Sequence, residues 1–182
     1  DRAGHGTLNT NSANAVYSHQ FRFTRKFAID AGLQASLFQK TLDWSKLTFG
    51  DMIDEKYGFI YQTNEKQENY HRTYLDFSAG LVAFTPRVFG GIAVHHLRQP
   101  NEGIIGTSQL PIKVTLHAGA KFAIGGKNGD VSISPNIIYQ RQKDFNQLNF
   151  GFYITKAAIT GGLWYRTGDA FILLVGIKKG IF

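Results

Sequence analysis

The side chains that could carry chemistry are few and poorly spaced for it. His95 and His96 are the obvious candidate metal ligands, yet adjacent residues on a strand point to opposite faces, so both rings could hold one ion only at a bulge. His5, His19, His71 and His117 show no ligand spacing among themselves. The 182 residues contain no Cys, which excludes thiolate zinc sites, Cys nucleophiles and disulfide frameworks together. Gly125-Gly126-Lys127-Asn128-Gly129 has the composition of a phosphate loop, but it lacks the Gly-Lys-Ser/Thr ending and a following helix, so it reads as a hairpin turn. Asp51, Asp54 and Glu55 share one connection with no spacing that pairs them as acid and base, and no Gly-x-Ser-x-Gly elbow is present. The expectation is a protein that is not an enzyme and holds no metal or cofactor.

The elements that carry these residues are strands. From 114 to 124, Val114, Leu116, Ala118, Ala120, Phe122 and Ile124 fall on one face and Thr115, His117, Gly119 and Lys121 on the other, which is period two. The same alternation recurs at 27–37, 73–84 and 148–155, with weaker strands at about 14–24, 87–97, 130–141, 157–166 and 169–180. About nine strands and no convincing helix result. Charged residues are only 18% of the chain, below the roughly 25% usual for soluble domains, while aromatics reach 14%. No apolar run approaches the ~18 residues of a membrane-spanning helix, so any crossing must be made by strands. Several strands also exceed the roughly 5–6 residues usual in a soluble sandwich.

The connections alternate between tight and long. Arg25-Lys26, Thr85-Pro86-Arg87, Gly125–Gly129 and Thr155-Lys156 are expected as hairpin turns, whereas 43–68 and 98–110 are long and carry Asp51, Asp54, Glu55, Glu65 and Glu68. Short turns at one end and long loops at the other fit a transmembrane antiparallel up-and-down β-barrel, with the long loops extracellular. Rings near strand ends, among them Phe21, Phe23, Phe38, Tyr74, Phe84 and Phe89, fit interfacial girdles. The chain reads as a single domain over 1–182, the central and C-terminal part of a larger barrel, because an odd strand count leaves an open edge.

The net charge of +7 raises nucleic acid as a partner, but the basic residues are scattered singly and form no run, so no nucleic-acid binding is expected. Lys26, Arg72, Lys113, Lys121 and Arg166, with Asp30, Asp76 and His117, are expected on the lumenal face, where they either pair with one another or line an anion-favouring pore. The connection 43–68 is too apolar for a tether. Trp44, Phe49, Tyr57, Phe59 and Tyr61 are the candidate partner-binding residues, with Asp51, Asp54 and Glu55 expected at a solvated rim.

Taken in order, several segments resemble the PorP/SprF family of type IX secretion membrane proteins. They are Asp1-Arg2-Ala3-Gly4-His5-Gly6, Leu110-Pro111, Thr115-Leu116-His117-Ala118-Gly119-Ala120-Lys121-Phe122, Ile133-Ser134-Pro135-Asn136-Ile137-Ile138, Phe145-Asn146-Gln147-Leu148-Asn149-Phe150-Gly151 and Gly161-Gly162-Leu163-Trp164-Tyr165-Arg166. The resemblance spans the chain. It implies an outer-membrane β-barrel of Bacteroidota, longer than this chain at both ends and lodged in the lipid bilayer. It also implies type IX secretion components as partners, and a role in secreting and anchoring a surface adhesin through its C-terminal sorting domain. The alternative is a passive porin for small, anionic solutes. No family residue is established as catalytic, and none is carried over.

Overall fold

The computed structural model describes residues 1–64, 71–104, 106–124 and 131–178. Its strands are β1 (Arg2–Ala3), β2 (Leu8–Arg22), β3 (Ala28–Leu42), β4 (Ile53–Asp54), β5 (Gly58–Phe59), β6 (His71–Phe84), β7 (Val88–His95), β8 (Lys113–Ala120), β9 (Phe122–Ile124), β10 (Val131–Gln142), β11 (Phe145–Lys156), β12 (Ile159–Arg166) and β13 (Ala170–Ile177). Eleven of them form one antiparallel sheet in the order β1-β2-β3-β6-β7-β8-β10-β11-β12-β13, with β9 beside β10, while β4 and β5 make a separate ribbon. Strand order follows chain order, which is the pairing of an up-and-down barrel wall. The path is linear among the described residues, from β1 to β13.

Every expected strand is present, with shifted limits. β2 begins at Leu8 because its Asn, Thr and Ser positions extend the ladder without adding apolar alternation. The strand expected over 114–124 is divided at Lys121, whose backbone N–H donates to Arg87 O at 2.7 Å. The turn expected at Thr155-Lys156 lies two residues later, since β11 runs through Lys156 and Ala157 takes φ 51°. The proposed turn at Gly125–Gly129 falls outside the described residues.

The two faces of the sheet are inverted relative to a water-soluble protein. Leu33 and Leu81 are 62% and 50% exposed, whereas Ser36 and Asp76 on the opposite parity are only 3% exposed. Large apolar side chains facing outward over polar buried ones are what a hydrocarbon solvent selects. Pairing makes the apolar face continuous: Leu81 stands opposite Ile92 and Ile92 opposite Leu116. Further along, Ile137, Phe150, Tyr165 and Phe171 line up across four strands. Among the described residues no helix is long and apolar enough to cross a membrane.

The polar face is filled by rings laid over glycines. A Cβ at Gly151 would stand 2.6 Å from Trp164 Cγ, one at Gly162 2.6 Å from Tyr153 Cδ1, and one at Gly91 2.6 Å from His117 Cε1. Each glycine therefore leaves the space that the neighbouring strand's ring occupies, a way of packing a narrow interior. This corrects part of the girdle expectation. Phe89 packs at Gly119 and stands opposite Phe84, and Phe38 stacks on Tyr74 at 5.2 Å, so these rings sit on the polar face because of their strand parity.

Contacts divide the chain into two compact units. One comprises Asp1–Ala15, Ala35–Asp76 and Arg98–Leu110, and the other Val16–Gln34, Phe77–Leu97 and Pro111–Phe182. The first unit carries the two long connections, and the second carries the tight turns.

Candidate partner-binding surface

The connection after β3 is built from short, hydrogen-bonded pieces rather than left as open coil. Asp43 caps a single 3-10 turn at Trp44–Lys46, accepting from Ser45 N at 3.2 Å and Ser45 Oγ at 2.6 Å. A second 3-10 turn at Gly50–Met52 leads into the β4–β5 ribbon. The ribbon is held by one carboxylate: Asp54 Oδ1 accepts from the backbone N–H of Lys56 (2.8 Å) and of Tyr57 (2.9 Å), and Asp54 Oδ2 accepts from Tyr61 Oη (2.9 Å). Asp51 ties the next stretch, accepting from Thr63 Oγ1 and from Asn64 N at 2.7 Å.

Asp51 and Asp54, expected at a solvated rim, are solvent-accessible and also staple the loop. Hydrogen bonds to the ionised form lower a carboxyl pKa. The amide of Lys56, then that of Tyr57 and the Tyr61 hydroxyl, hold Asp54 below its usual value, and the Ser45 hydroxyl does most of the same for Asp43.

These pieces sort the five candidate residues into two groups. Trp44 and Phe49 stack on each other at 5.6 Å with planes 16° apart and are half-buried, so they brace the loop from within. Tyr57, Phe59 and Tyr61 are exposed on and beside the ribbon, at 68%, 58% and 52%, with Ile60 at 55% beside them. Three rings and an isoleucine presented on a stapled ribbon form the most concentrated exposed apolar surface of this connection. Aromatic anchors of this kind dominate protein interfaces.

The second long connection is fastened to the polar face of the same unit. Asn101 Oδ1 accepts from Gly103 N (3.0 Å) and Ser108 N (2.9 Å), closing the loop on itself. Arg72 Nε, from β6, donates to Asn101 O at 3.1 Å, and Lys40 Nζ, from β3, forms an ion pair with Glu102 at 2.5 Å. Lys40 and Arg72 occupy polar-face parities, so loop 98–110 lies over that face instead of standing off it. The Lys40–Glu102 contact was not visible in the sequence. The only cue was the turn-type run Pro100-Asn101-Glu102-Gly103.

The residues considered for metal binding do not assemble a ligand set. His95 Nδ1 lies 3.2 Å from Ser78 Oγ, and His96 follows in the left-handed region with φ 60°, leaving the two rings 6.3 Å apart. Among the described residues no group of three or more His, Asp or Glu side chains converges on a point.

Comparison with known proteins returns one informative finding. No curated protein matches the chain, and no solved structure does. A family model, that of the type IX secretion system membrane protein PorP/SprF, matches residues 1–182. The inverted faces, the chain-order strand pairing and the match along the whole length agree, and the chain belongs to the PorP/SprF family of outer-membrane proteins, which have a role in type IX secretion.

Proposed function

We propose that the chain is a non-enzymatic wall segment of an outer-membrane barrel that holds a secreted surface protein, such as a large adhesin or its C-terminal sorting domain, through the stapled loop 43–64. The observation that carries this is the exposed cluster of Tyr57, Phe59, Ile60 and Tyr61 on a ribbon whose shape is fixed by Asp54. A preformed loop avoids the ordering cost that a floppy one would bring to binding. Long loops of outer-membrane barrels are extracellular, which is the side on which a surface protein is retained.

The passive-porin alternative has one observation in its favour, the polar parity of Lys113, His117 and Arg166 on the inner face. Against it stand the rings that lie over glycines on that face. The test is surface display in cells expressing the full-length protein. Exchanging Tyr57, Phe59, Ile60 and Tyr61 for Ser is expected to abolish retention of the surface partner while the barrel still reaches the outer membrane. Undiminished retention with that ribbon changed would refute the docking role. Large steady currents from the unaltered protein in a planar bilayer would favour the porin.

A further inference from the structure

At the tight-turn end, within the second unit, cations gather on rigid turns without acidic partners. The connections 23–27, 85–87 and 157–158 contain no Asp or Glu. Arg22, Arg25 and Lys26 project from one hairpin, which Thr24 fixes by accepting from the backbone N–H of Lys26 (3.2 Å) and of Phe27 (3.0 Å) through Oγ1. Thr85 fixes the neighbouring turn in the same way, accepting from Val88 N at 2.9 Å. Arg87 then lies opposite Lys121, one step beyond the Val88–Ala120 pair, with the Lys121 N–H donating to Arg87 O. Like charges placed opposite one another destabilise a sheet. None of these five cations makes an ion pair among the described residues, and all are exposed.

The two turns enclose a recess of about 690 Å³, lined by Arg22, Arg25 and Lys26 together with Phe23, Phe27 and Phe84. That volume is in the range of ligand-binding clefts. Its position argues against lipid. Arg22 shares the parity of Gln20 and Ser18, whereas Tyr17, His19 and Phe21 join Leu33, Leu81 and Ile92 on the apolar outer face. Arg87 and Lys121 continue the polar-face register of Phe89 and Gly119. Arg22, Arg87 and Lys121 therefore share the polar-face parity, while Arg25 and Lys26 sit on the turn between β2 and β3.

We propose that this recess binds an acidic polypeptide segment with an apolar side chain, its carboxylates meeting Arg22, Arg25 and Lys26 in the recess and, where the segment runs on past Pro86, the adjacent Arg87 and Lys121, with its apolar group seated among the phenylalanines. Inorganic anions would leave the rings unused. This site belongs to the second unit, the loop of the proposed adhesin contact to the first, and the one does not depend on the other. In outer-membrane barrels the short-turn end faces the periplasm, so the partner would be a periplasmic one.

The test uses the full-length protein in zwitterionic detergent and a short fluorescein-labelled peptide in which Glu residues flank a central Phe, read by fluorescence anisotropy. Binding is expected to weaken at least tenfold in R22Q/R25Q/K26Q and, separately, in R87Q/K121Q, and to weaken with added salt. Both variants should retain the β-sheet circular dichroism of the parent, and Y57S/F59S should bind the peptide unchanged. The proposal is overturned if the peptide does not bind, or if neither cation variant affects it. It is equally overturned if inorganic phosphate competes as well as unlabelled peptide, or if phosphatidylglycerol vesicles bind through the same residues while the peptide does not.

Discussion

The two ends of the strands solve the problem of charge in opposite ways. At the long-loop end two polar-face cations meet acceptors supplied by a connection: Lys40 meets Glu102, and Arg72 meets the Asn101 carbonyl. The loop acids Asp43, Asp51 and Asp54 are likewise consumed in internal bonds. At the tight-turn end Arg25, Lys26, Arg87 and Lys121 have no such acceptors among the described residues, although the turns 23–27 and 85–88 are ordered by Thr24 and Thr85. A charge that is satisfied within the chain supports the fold. One that is held in place without a partner opposes it slightly and remains available to something else. The long-loop end thus exposes apolar surface and the tight-turn end exposes charge, which suits them to different partners.

The comparison presumes a common wall in lipid, and the largest effect should come from breaking that wall. Leu116 is exposed on the apolar face between Ile92 and Tyr139, whereas its neighbour Thr115 points to the polar side between Ala93 and Gln140. Leu116→Arg is expected to cost about 2–4 kcal/mol if it lies near the bilayer midplane, and Thr115→Arg much less. Urea titration of the refolded protein in lipid vesicles would measure both. Equal losses would mean that the two faces see the same solvent, and the membrane placement would fail.

Next in size is the removal of a satisfied charge. Glu102→Gln leaves the half-buried Lys40 ammonium without its carboxylate, and a lost hydrogen bond to a charged group costs roughly 1.5–3 kcal/mol. The same vesicle titration should show a loss in this range, together with faster proteolysis within 98–110 as the loop comes away from the polar face. Lys40→Met with Glu102→Leu, which removes both charges, should recover most of the stability. If the double variant is as unstable as the single one, the ion pair is not what fastens the loop.

A charge removed at the other end should act with the opposite sign. Arg87→Gln relieves repulsion with Lys121 across the strand pair, and cross-strand charge pairs contribute roughly 0.2–1 kcal/mol. A gain of that order in the unbound protein, shrinking as salt is added, is expected. A loss would show that Arg87 is already partnered and that the contrast between the ends is false.

Much of the wall could be read from the sequence because strand parity is a local property: Leu116 and Thr115 alternate whatever lies beside them. What could not be read depends on register between distant segments. Arg87 and Lys121 look like isolated basic residues until the pairing of Val88 with Ala120 sets them side by side. Trp44 and Phe49 read as surface anchors together with Tyr57, Phe59 and Tyr61, but their stacking leaves them half-buried while the other three are exposed, a difference that only the fold displays. Asp51, Asp54 and Glu55 of loop 43–68 are solvent-accessible as the sequence suggests, but side-chain to backbone bonds such as those from Lys56 and Tyr57 to Asp54 depend on a turn that only the fold displays.

The smallest effect is confined to that loop. Asp54 has its pKa lowered from the ordinary 3.8 by bonds made to its ionised form, foremost from the Lys56 amide. A carboxyl depressed in the folded state contributes stability that is fully present above its unfolded value and is lost as pH falls through its folded value. Acidification below about 4 should therefore release the amides of Lys56 and Tyr57 and loosen the ribbon, leaving the strands in place. Hydrogen exchange, corrected for the intrinsic pH dependence of the amide rate, is expected to show lost protection at these two residues below that pH, with protection in β10 and β11 unchanged. Asp54→Asn should show the loosened ribbon already at neutral pH and no further change on acidification. Loss of protection in β11 over the same interval would mean that the loop and the wall open together, and the ribbon would no longer count as an independently stapled surface.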